Sequence, residues 1–321
     1  MTLELSCAFA TSEQSHEHAR IAESLGYRRA WFYDSPALYP DVWVQLCRAA
    51  ERTSRIGLGP AVLVPSLRHP MTNAAAIATL AAIAGAERVS VAIGSGFTGR
   101  LTLGQRPLPW KYVAEYVRCL RGLLRGEQVE WEGAPIRMMH PEGFGAPRPL
   151  DVPIIIAAAG PKGVQVAREL GDGIFGSAPM PGFDRSVLLS MGTVLDPGES
   201  PGSERAIAAA GHAAAVGLHW AIEFDALDAL PGGREWAAAY EQVPERERHL
   251  ALHDQHLIAV NDRDRPFVTG ELLAARKLAQ SAEAWREQFR QLEQAGVTEI
   301  AYQPAGPDIP GELERFARLF G

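Results

Sequence analysis

The chain has 321 residues, of which 47% are hydrophobic, and a formal net charge of −7. This length fits two average domains or one large α/β barrel with insertions, which commonly runs from about 250 to more than 400 residues. The acidic balance, without a basic block, argues against nucleic acid and against an anionic membrane surface as partners. Three widely spaced cysteines and the lack of a long apolar run favour a cytoplasmic protein without disulfides or membrane spans.

Strand and helix signals alternate along the chain, which predicts a parallel sheet covered by helices. Each predicted strand is a short apolar run that is followed by residues at helical spacing. The eight runs are 3–9, 30–33, 55–64, 88–93, 153–158, 172–177, 187–195 and the segment VTEIAYQP near the carboxyl end. Eight such strands predict an α/β fold, the (β/α)8 TIM barrel.

Helix boundaries follow from capping residues. Ser12 and Asp41 are residue types that favour the N-cap position, and His69-Pro70 opens an Ala-rich helix that we expect to end at Gly85. Apolar side chains at helical spacing predict three more helices, over 110–124, 284–295 and 312–320.

Two segments interrupt the alternation. The run VEWEGAPIRM, residues 129–138, reads as a small hairpin or loop excursion. Residues 196 to about 280 form a long polar segment with several helix signals, too long for a bare connector. We expect this insertion, the largest and placed after strand seven, to cap the active-site end of one barrel domain over residues 1–321.

The run AAAGPKG, residues 157–163, predicts a phosphate-binding turn between strand five and its helix. Gly160, Pro161 and Gly163 supply a tight turn, a residue suited to the first helical position and room for close approach. Free N–H groups at the helix start and the charge of Lys162 favour a phosphate there. The alternative is an ordinary βα-turn that happens to contain glycine and proline.

Several segments together resemble the bacterial luciferase-like superfamily, most closely its deazaflavin-dependent methylenetetrahydromethanopterin-reductase branch. They are SLGYRRAWFYDS, RIGLGPAVLVPSLRHPMTNAAAIATLAAIAGAERVSVAIGSGF, LRGLLRGEQVEWEG, VPIIIAAAGPKGVQVARELGDGIF and AGVTEIAYQP. The resemblance covers roughly the first 178 residues and the last 40. It implies a (β/α)8 barrel that binds coenzyme F420 or FMN at the carboxyl ends of its strands, usually as a homodimer.

The resemblance also implies roles for particular residues. It places a non-prolyl cis peptide against the cofactor ring at Ala61-Val62, although Ala61 stands where the branch more often has glycine. It places Ser95, Gly96 and Thr98 near the ring and its side chain, with a simple glycine turn as the alternative. It gives the phosphate to Gly160, Pro161, Lys162 and Gly163.

The proton donor is expected among polar residues that follow strands two and three. Asp34, Tyr39 and His69 are the candidates, because catalytic groups of such barrels lie at the carboxyl ends of strands. Relatives often have a histidine near the position of Asp34. Because this chain has an aspartate there instead, a helix-capping or structural role for Asp34 is the alternative. For His69, entry to the next helix is the alternative.

Three further histidines, His249, His253 and His256, share a helical spacing. One short helix does not readily close three ligands around a tetrahedral ion, so we predict packing or hydrogen bonding and no metal site.

The sequence thus predicts a coenzyme F420-dependent oxidoreductase. It would transfer hydride between the reduced deazaflavin and a small molecule with an electron-poor C=C, C=N or C=O group. An FMN-dependent monooxygenase and a non-catalytic flavin-binding protein are the alternatives.

Overall fold

The computed structural model describes residues 3–320. Its twelve strands, in chain order, are β1 (Glu4–Phe9), β2 (Arg29–Phe32), β3 (Gly57–Pro60), β4 (Val91–Gly94), β5 (Val129–Trp131), β6 (Ala134–Ile136), β7 (Ile154–Ala157), β8 (Ile174–Gly176), β9 (Ser186–Met191), β10 (Thr193–Val194), β11 (Ala279–Gln280) and β12 (Glu299–Gln303). Its α-helices are α1 (Ser15–Ser24), α2 (Val42–Arg52), α3 (Pro70–Ala84), α4 (Phe97–Leu101), α5 (Trp110–Arg125), α6 (Pro161–Leu170), α7 (Glu204–Glu223), α8 (Gly233–Ala238), α9 (Arg248–Leu252), α10 (Gly270–Ala275), α11 (Ala282–Gln294) and α12 (Ile309–Ala317).

Eight strands form one parallel sheet in the order β3-β2-β1-β12-β9-β8-β7-β4. Its two edge strands meet through parallel bridges that pair Leu58 with Val89 and Leu63 with Ile93. The sheet therefore closes on itself with helices outside, which confirms the predicted (β/α)8 barrel. Strands β5 and β6 form the predicted hairpin as an antiparallel pair.

Side chains along the barrel strands alternate between two hydrophobic clusters, as the period of two of a strand requires. Ile154 and Ile156 of β7 pack in the layer between strands and helices. Ile155, between them, belongs to a second cluster inside the barrel, which includes the large side chains of Trp31 and Phe175. The barrel interior is thus filled by side chains, and ligands must bind at its mouth.

The insertion leaves the barrel after β9, as predicted, and has a hydrophobic cluster of its own. Trp236, Leu218 and Leu273 are at its centre, and all three are fully buried. The short parallel pair β10 and β11 brings the two ends of the insertion together. Helices α7 to α10 lie between these two strands.

The structure corrects three local predictions. Ser12 is not the N-cap of α1; Gln14 takes that position, and its side chain makes no capping hydrogen bond. The third strand ends at Pro60 instead of Val64, and beyond it only Leu63 pairs with the next strand, as an isolated bridge to Ile93. The fourth strand starts at Val91, since a 3-10 turn occupies Ala86–Arg88. Among residues 3–320, no helix is both long and apolar enough to cross a membrane.

Candidate active site

The insertion lies over the carboxyl ends of the barrel strands. Gln303, the last residue of β12, accepts a hydrogen bond from the Tyr33 hydroxyl (3.1 Å) and donates one to the carbonyl of Leu257 (2.7 Å). The Tyr39 hydroxyl donates to the carbonyl of His256 (2.6 Å). The Leu257 side chain packs against the cluster inside the barrel. The insertion therefore caps this end, as predicted from its length and position.

The peptide bond Ala61-Val62 is cis, as the resemblance implies. The backbone around it hydrogen-bonds to the strands on both sides. The Ala61 N–H donates to the carbonyl of Phe32 in β2 (2.8 Å), and the Leu63 N–H donates to the carbonyl of Ala92 in β4 (2.8 Å). A Cβ on Gly94 would lie 3.0 Å from a Val62 methyl carbon. Ala61, Val62 and Gly94 thus form one close-packed patch of small side chains at the carboxyl ends of β3 and β4.

The loop after β4 needs glycine for a packing reason. Gly96 has φ +82°, and a Cβ there would lie 2.4 Å from a methyl carbon of Val64. The sequence did not reveal α4, which begins directly after Gly96. On this helix, Phe97 stacks on Trp220 of α7 with ring centroids 5.0 Å apart, and the hydroxyl of Thr98 lies 3.4 Å from His256 Nε2. This loop therefore contacts the insertion.

The predicted phosphate turn has an open side and a closed side. Nothing lies within 4 Å of a Cβ built on Gly160, and Gly160, Pro161 and Lys162 are exposed. Pro161 is the first residue of α6, so the N–H groups of the next two residues lack partners within the helix. A Cβ on Gly163 would instead lie 2.4 Å from the Trp110 ring. Gly163 is thus required for packing, and the open space lies on the Gly160 side.

Asp34 is not a free acid. Its carboxylate is buried and accepts two hydrogen bonds from Arg68, at 2.7 and 2.6 Å. Arg68 also donates to Asp41 (2.7 Å), whose other oxygen caps α2 as predicted. Burial raises the pKa of Asp34, and the hydrogen bonds and charge of Arg68 offset this rise only in part. No sequence pattern singled out Arg68.

The other two candidate donors differ in their surroundings. Tyr39 is buried in the cluster that includes Ala61 and Val62, and burial raises the pKa of its hydroxyl. His69 is exposed, and its Nδ1 accepts a hydrogen bond from the N–H of Met71 as the N-cap of α3. Its ring packs edge-on against Trp131 of the hairpin. The structure thus supports the alternative interpretation of His69, as a helix-entry residue.

The three histidines of the insertion do not share one helix face, because α9 ends at Leu252. His253 and His256 instead meet His219 of α7, and all three are buried. Burial lowers the pKa of His219 to about 3 and that of His256 well below its ordinary value, so both rings are neutral near pH 7. His249 is outside this cluster. The sequence did not point to His219, because this residue is far from His253 and His256 in the chain.

A cleft of about 550 Å³ separates the insertion from two barrel loops. Leu38, after β2, and Thr102, after β4, line its barrel side. His253, His256 and Ile258 are among the residues that line the opposite side. A cleft between the strand ends and their cap has the position and size of a small-molecule site.

We predict that Arg68→Met costs about 3–5 kcal/mol of stability near pH 7.5, because it leaves the buried Asp34 carboxylate without its partner. The pKa of folded Asp34 would rise further above the unfolded value. Stability then falls as pH rises between these two values, so the deficit should be smaller at pH 5 than at pH 7.5. Urea unfolding at both pH values measures it.

The matched control adds Asp34→Asn to Arg68→Met, which removes the buried charge and should abolish the pH dependence of the deficit. Equal deficits for the single variant at pH 5 and pH 7.5 would contradict the role given to Asp34.

Two curated relatives match part of the chain. The 5,10-methylenetetrahydromethanopterin reductase of Archaeoglobus fulgidus is 32% identical over 169 residues, which are 51% of this chain and 49% of that protein. The F420-dependent glucose-6-phosphate dehydrogenase of Beutenbergia cavernae is 34% identical over 149 residues, 43% of this chain and 41% of that protein. The chain therefore spans about half the length, or less, of these relatives.

Solved structures share the fold along the whole chain. The coenzyme F420 dependent tetrahydromethanopterin reductase from Methanopyrus kandleri has a TM-score of 0.69 at 18% identity, covering 99% of this chain and 98% of that chain. The FMN complex of the oxygenating constituent of 3,6-diketocamphane monooxygenase from Pseudomonas putida has a TM-score of 0.62 at 13% identity. This match covers 100% of this chain and 98% of that chain. A family model described as luciferase-like monooxygenase matches residues 10–189. Because this match covers more than half of the chain, the protein belongs to the luciferase-like family.

Proposed function

We propose that the protein is a coenzyme F420-dependent oxidoreductase that acts on a small molecule with an electron-poor C=C, C=N or C=O group. The observation that carries the proposal is the match to curated relatives, one of which is named F420-dependent. The residues predicted to contact the cofactor all lie within the family match, residues 10–189. The substrate class is inferred from the chemistry of a hydride donor.

The patch at the ends of β3 and β4 fits a planar ring. Ala61 and Gly94 present no side chain larger than a methyl group, and a methyl group of Val62 packs against Gly94. The turn at Gly160 fits a phosphate, because its open side faces the start of α6 and Lys162 adds a positive charge. We assign the ring to Ala61, Val62, Ser95, Gly96 and Thr98, and the phosphate to Gly160, Pro161, Lys162 and Gly163.

When bound, the deazaflavin supplies hydride chemistry, and the protein supplies position, exclusion of water and a proton. Gln303 and Tyr39 hold the carbonyls of Leu257 and His256, which keeps the insertion over the mouth. Two of the three candidate proton donors are engaged in other contacts, because Arg68 holds the Asp34 carboxylate and His69 caps α3. Tyr39 alone of the three candidates belongs to the buried cluster that includes Ala61 and Val62. We therefore assign its hydroxyl as the donor, which gives up its hydrogen bond to the His256 carbonyl when it serves a substrate.

The proposal includes a cytoplasmic homodimer, as the resemblance implies. Val44 on α2 and Ile83 on α3 are exposed apolar side chains on helices that pack against each other. A second copy of the chain that covers these two side chains would remove apolar surface from water.

We predict that F420 binds more tightly than FMN and that reduced F420 is oxidised by members of a panel of enones, imines and aldehydes. Calorimetric titration of both cofactors and anaerobic turnover with the panel measure this. Tighter binding of FMN, together with oxygen uptake by the reduced complex, would reverse the assignment to a monooxygenase. Binding of F420 without turnover of any acceptor would leave a non-catalytic flavin-binding protein.

Gly160→Asp should weaken F420 binding by about tenfold or more while the melting temperature stays unchanged. A new Cβ meets no neighbour within 4 Å, and the carboxylate adds a negative charge beside the proposed phosphate. Gly160→Asn is the matched neutral control. It caps the same N–H groups of α6 without the charge, so it should bind F420 clearly more tightly than Gly160→Asp does. Equal weakening by both variants, or by neither, would show that the turn does not hold the phosphate.

Tyr39→Phe should lower single-turnover hydride transfer to an acceptor from the panel by about 10²-fold, the lower end of a general-acid contribution. The affinity for F420 should stay at the parent value, because only the hydroxyl is removed. His69→Asn keeps a capping group at α3 and should react at the parent rate. A parent rate for Tyr39→Phe, or a larger loss for His69→Asn, would contradict the assignment.

A further inference from the structure

Three buried histidines from two separate segments of the insertion converge on one point. His219 comes from α7, His253 follows the end of α9, and His256 lies three residues further on. The exposed fractions of the three residues are 7%, 5% and 7%. Each pair of rings has its centroids 5.0 Å apart, and one nitrogen from each ring lies within 4.8 Å of the other two. One nitrogen of each imidazole therefore lies near a common centre, while the rings of His219 and His256 stack with an interplanar angle of 14°.

The hydrogen bonds fix which nitrogens face this centre. His253 Nδ1 donates to the carbonyl of His249 (2.7 Å), so its Nε2 carries the lone pair. His256 Nε2 lies 3.4 Å from the Thr98 hydroxyl, which leaves its Nδ1. Within residues 3–320, no hydrogen-bond partner exists for His253 Nε2, His256 Nδ1 or either nitrogen of His219. Four buried ring nitrogens without partners would be costly in a purely structural cluster.

This pattern is that of metal-ligating histidine. Such a ring usually donates its second N–H to a carbonyl or another polar group, which orients the lone pair of the first nitrogen toward the ion. His253 shows this arrangement with a backbone carbonyl, and His256 has a hydroxyl at the corresponding place.

The size of the centre fits a small transition-metal ion after a modest contraction. Zinc–nitrogen distances of about 2.0–2.1 Å put tetrahedral ligand nitrogens about 3.4 Å apart. The three nitrogens here lie within 4.8 Å of one another, so each has to move by under about 1 Å. The stacked rings of His219 and His256 also have to turn about their side-chain torsions, so that both lone pairs point at one ion. Three histidines leave a fourth position for a water molecule or a substrate oxygen, as in sites of the zinc class.

We propose that His219, His253 and His256 bind a divalent transition-metal ion, with Zn²⁺ as the preferred occupant. The ion would link α7 to the segment that lies on the barrel mouth, where the carbonyls of His256 and Leu257 are held. These residues lie outside the family match, which ends at residue 189, so the site belongs to the insertion of this chain. The proposal is independent of the F420 assignment.

The test uses the full chain without an affinity tag, dialysed against a chelator. Titration with Zn²⁺ by calorimetry, and with Co²⁺ by visible absorption, should give one ion per chain, and Co²⁺ should show the absorption of a four-coordinate nitrogen site. Zn²⁺ should also raise the melting temperature, because it binds the folded state. Failure of the parent protein to bind either ion stoichiometrically would overturn the proposal.

His219→Gln should weaken Zn²⁺ binding by about 100-fold or more, since loss of an outer partner alone costs about 10–100-fold. His249→Gln is the matched control. It removes a histidine from the same segment but keeps the backbone carbonyl that orients His253, and should bind as the parent does. Equal weakening by both variants would show adventitious binding to surface histidine, and comparison with His253→Gln keeps the test decisive if His219→Gln does not fold.

Discussion

The closure of the barrel between β3 and β4 is the constraint on which the candidate site depends. These two strands meet only briefly, through bridges at Leu58 and Leu63, and the cis bond Ala61-Val62 lies between those two contacts. The backbone around the bond is held from both sides, by Phe32 of β2 and Ala92 of β4. Beside this closure there is no room for a side chain at Gly94, where a Cβ would lie 3.0 Å from a Val62 methyl carbon. The same closure sets all eight strand ends at one mouth.

Much of this architecture could be predicted because strands and helices have different periods. The alternation of apolar runs and helical spacing identified the barrel, and caps such as Asp41 and Pro70 fixed helix starts. The resemblance identified the cis bond. The sequence could not show which residues that are distant in the chain contact each other in the fold. Arg68 binds Asp34 through the fold alone, and His219 meets His253 across 34 residues of insertion.

For the site residues, too, the sequence indicates the candidates, and only the fold shows the surroundings of each one. Gly160 and Gly163 look equivalent in a turn motif, but one has open space and the other packs on Trp110. Only the position of α5 distinguishes them. Likewise, Asp34, Tyr39 and His69 all follow strands, and their sequence positions alone do not separate them. The fold gives them different surroundings, because Arg68 binds Asp34, His69 caps α3, and Tyr39 is buried in the cluster that includes Ala61 and Val62.

Two of the hydrogen bonds that attach the insertion to the mouth are made to its main chain. Tyr39 and Gln303 donate to the carbonyls of His256 and Leu257, and a carbonyl accepts a hydrogen bond whatever side chain its residue carries. The two anchor points therefore place few demands on the sequence of the segment they hold. Residues that line the cleft from the insertion side, such as Ile258, can change without loss of this attachment. The shape of the cleft can thus change while the barrel and its cap keep their geometry.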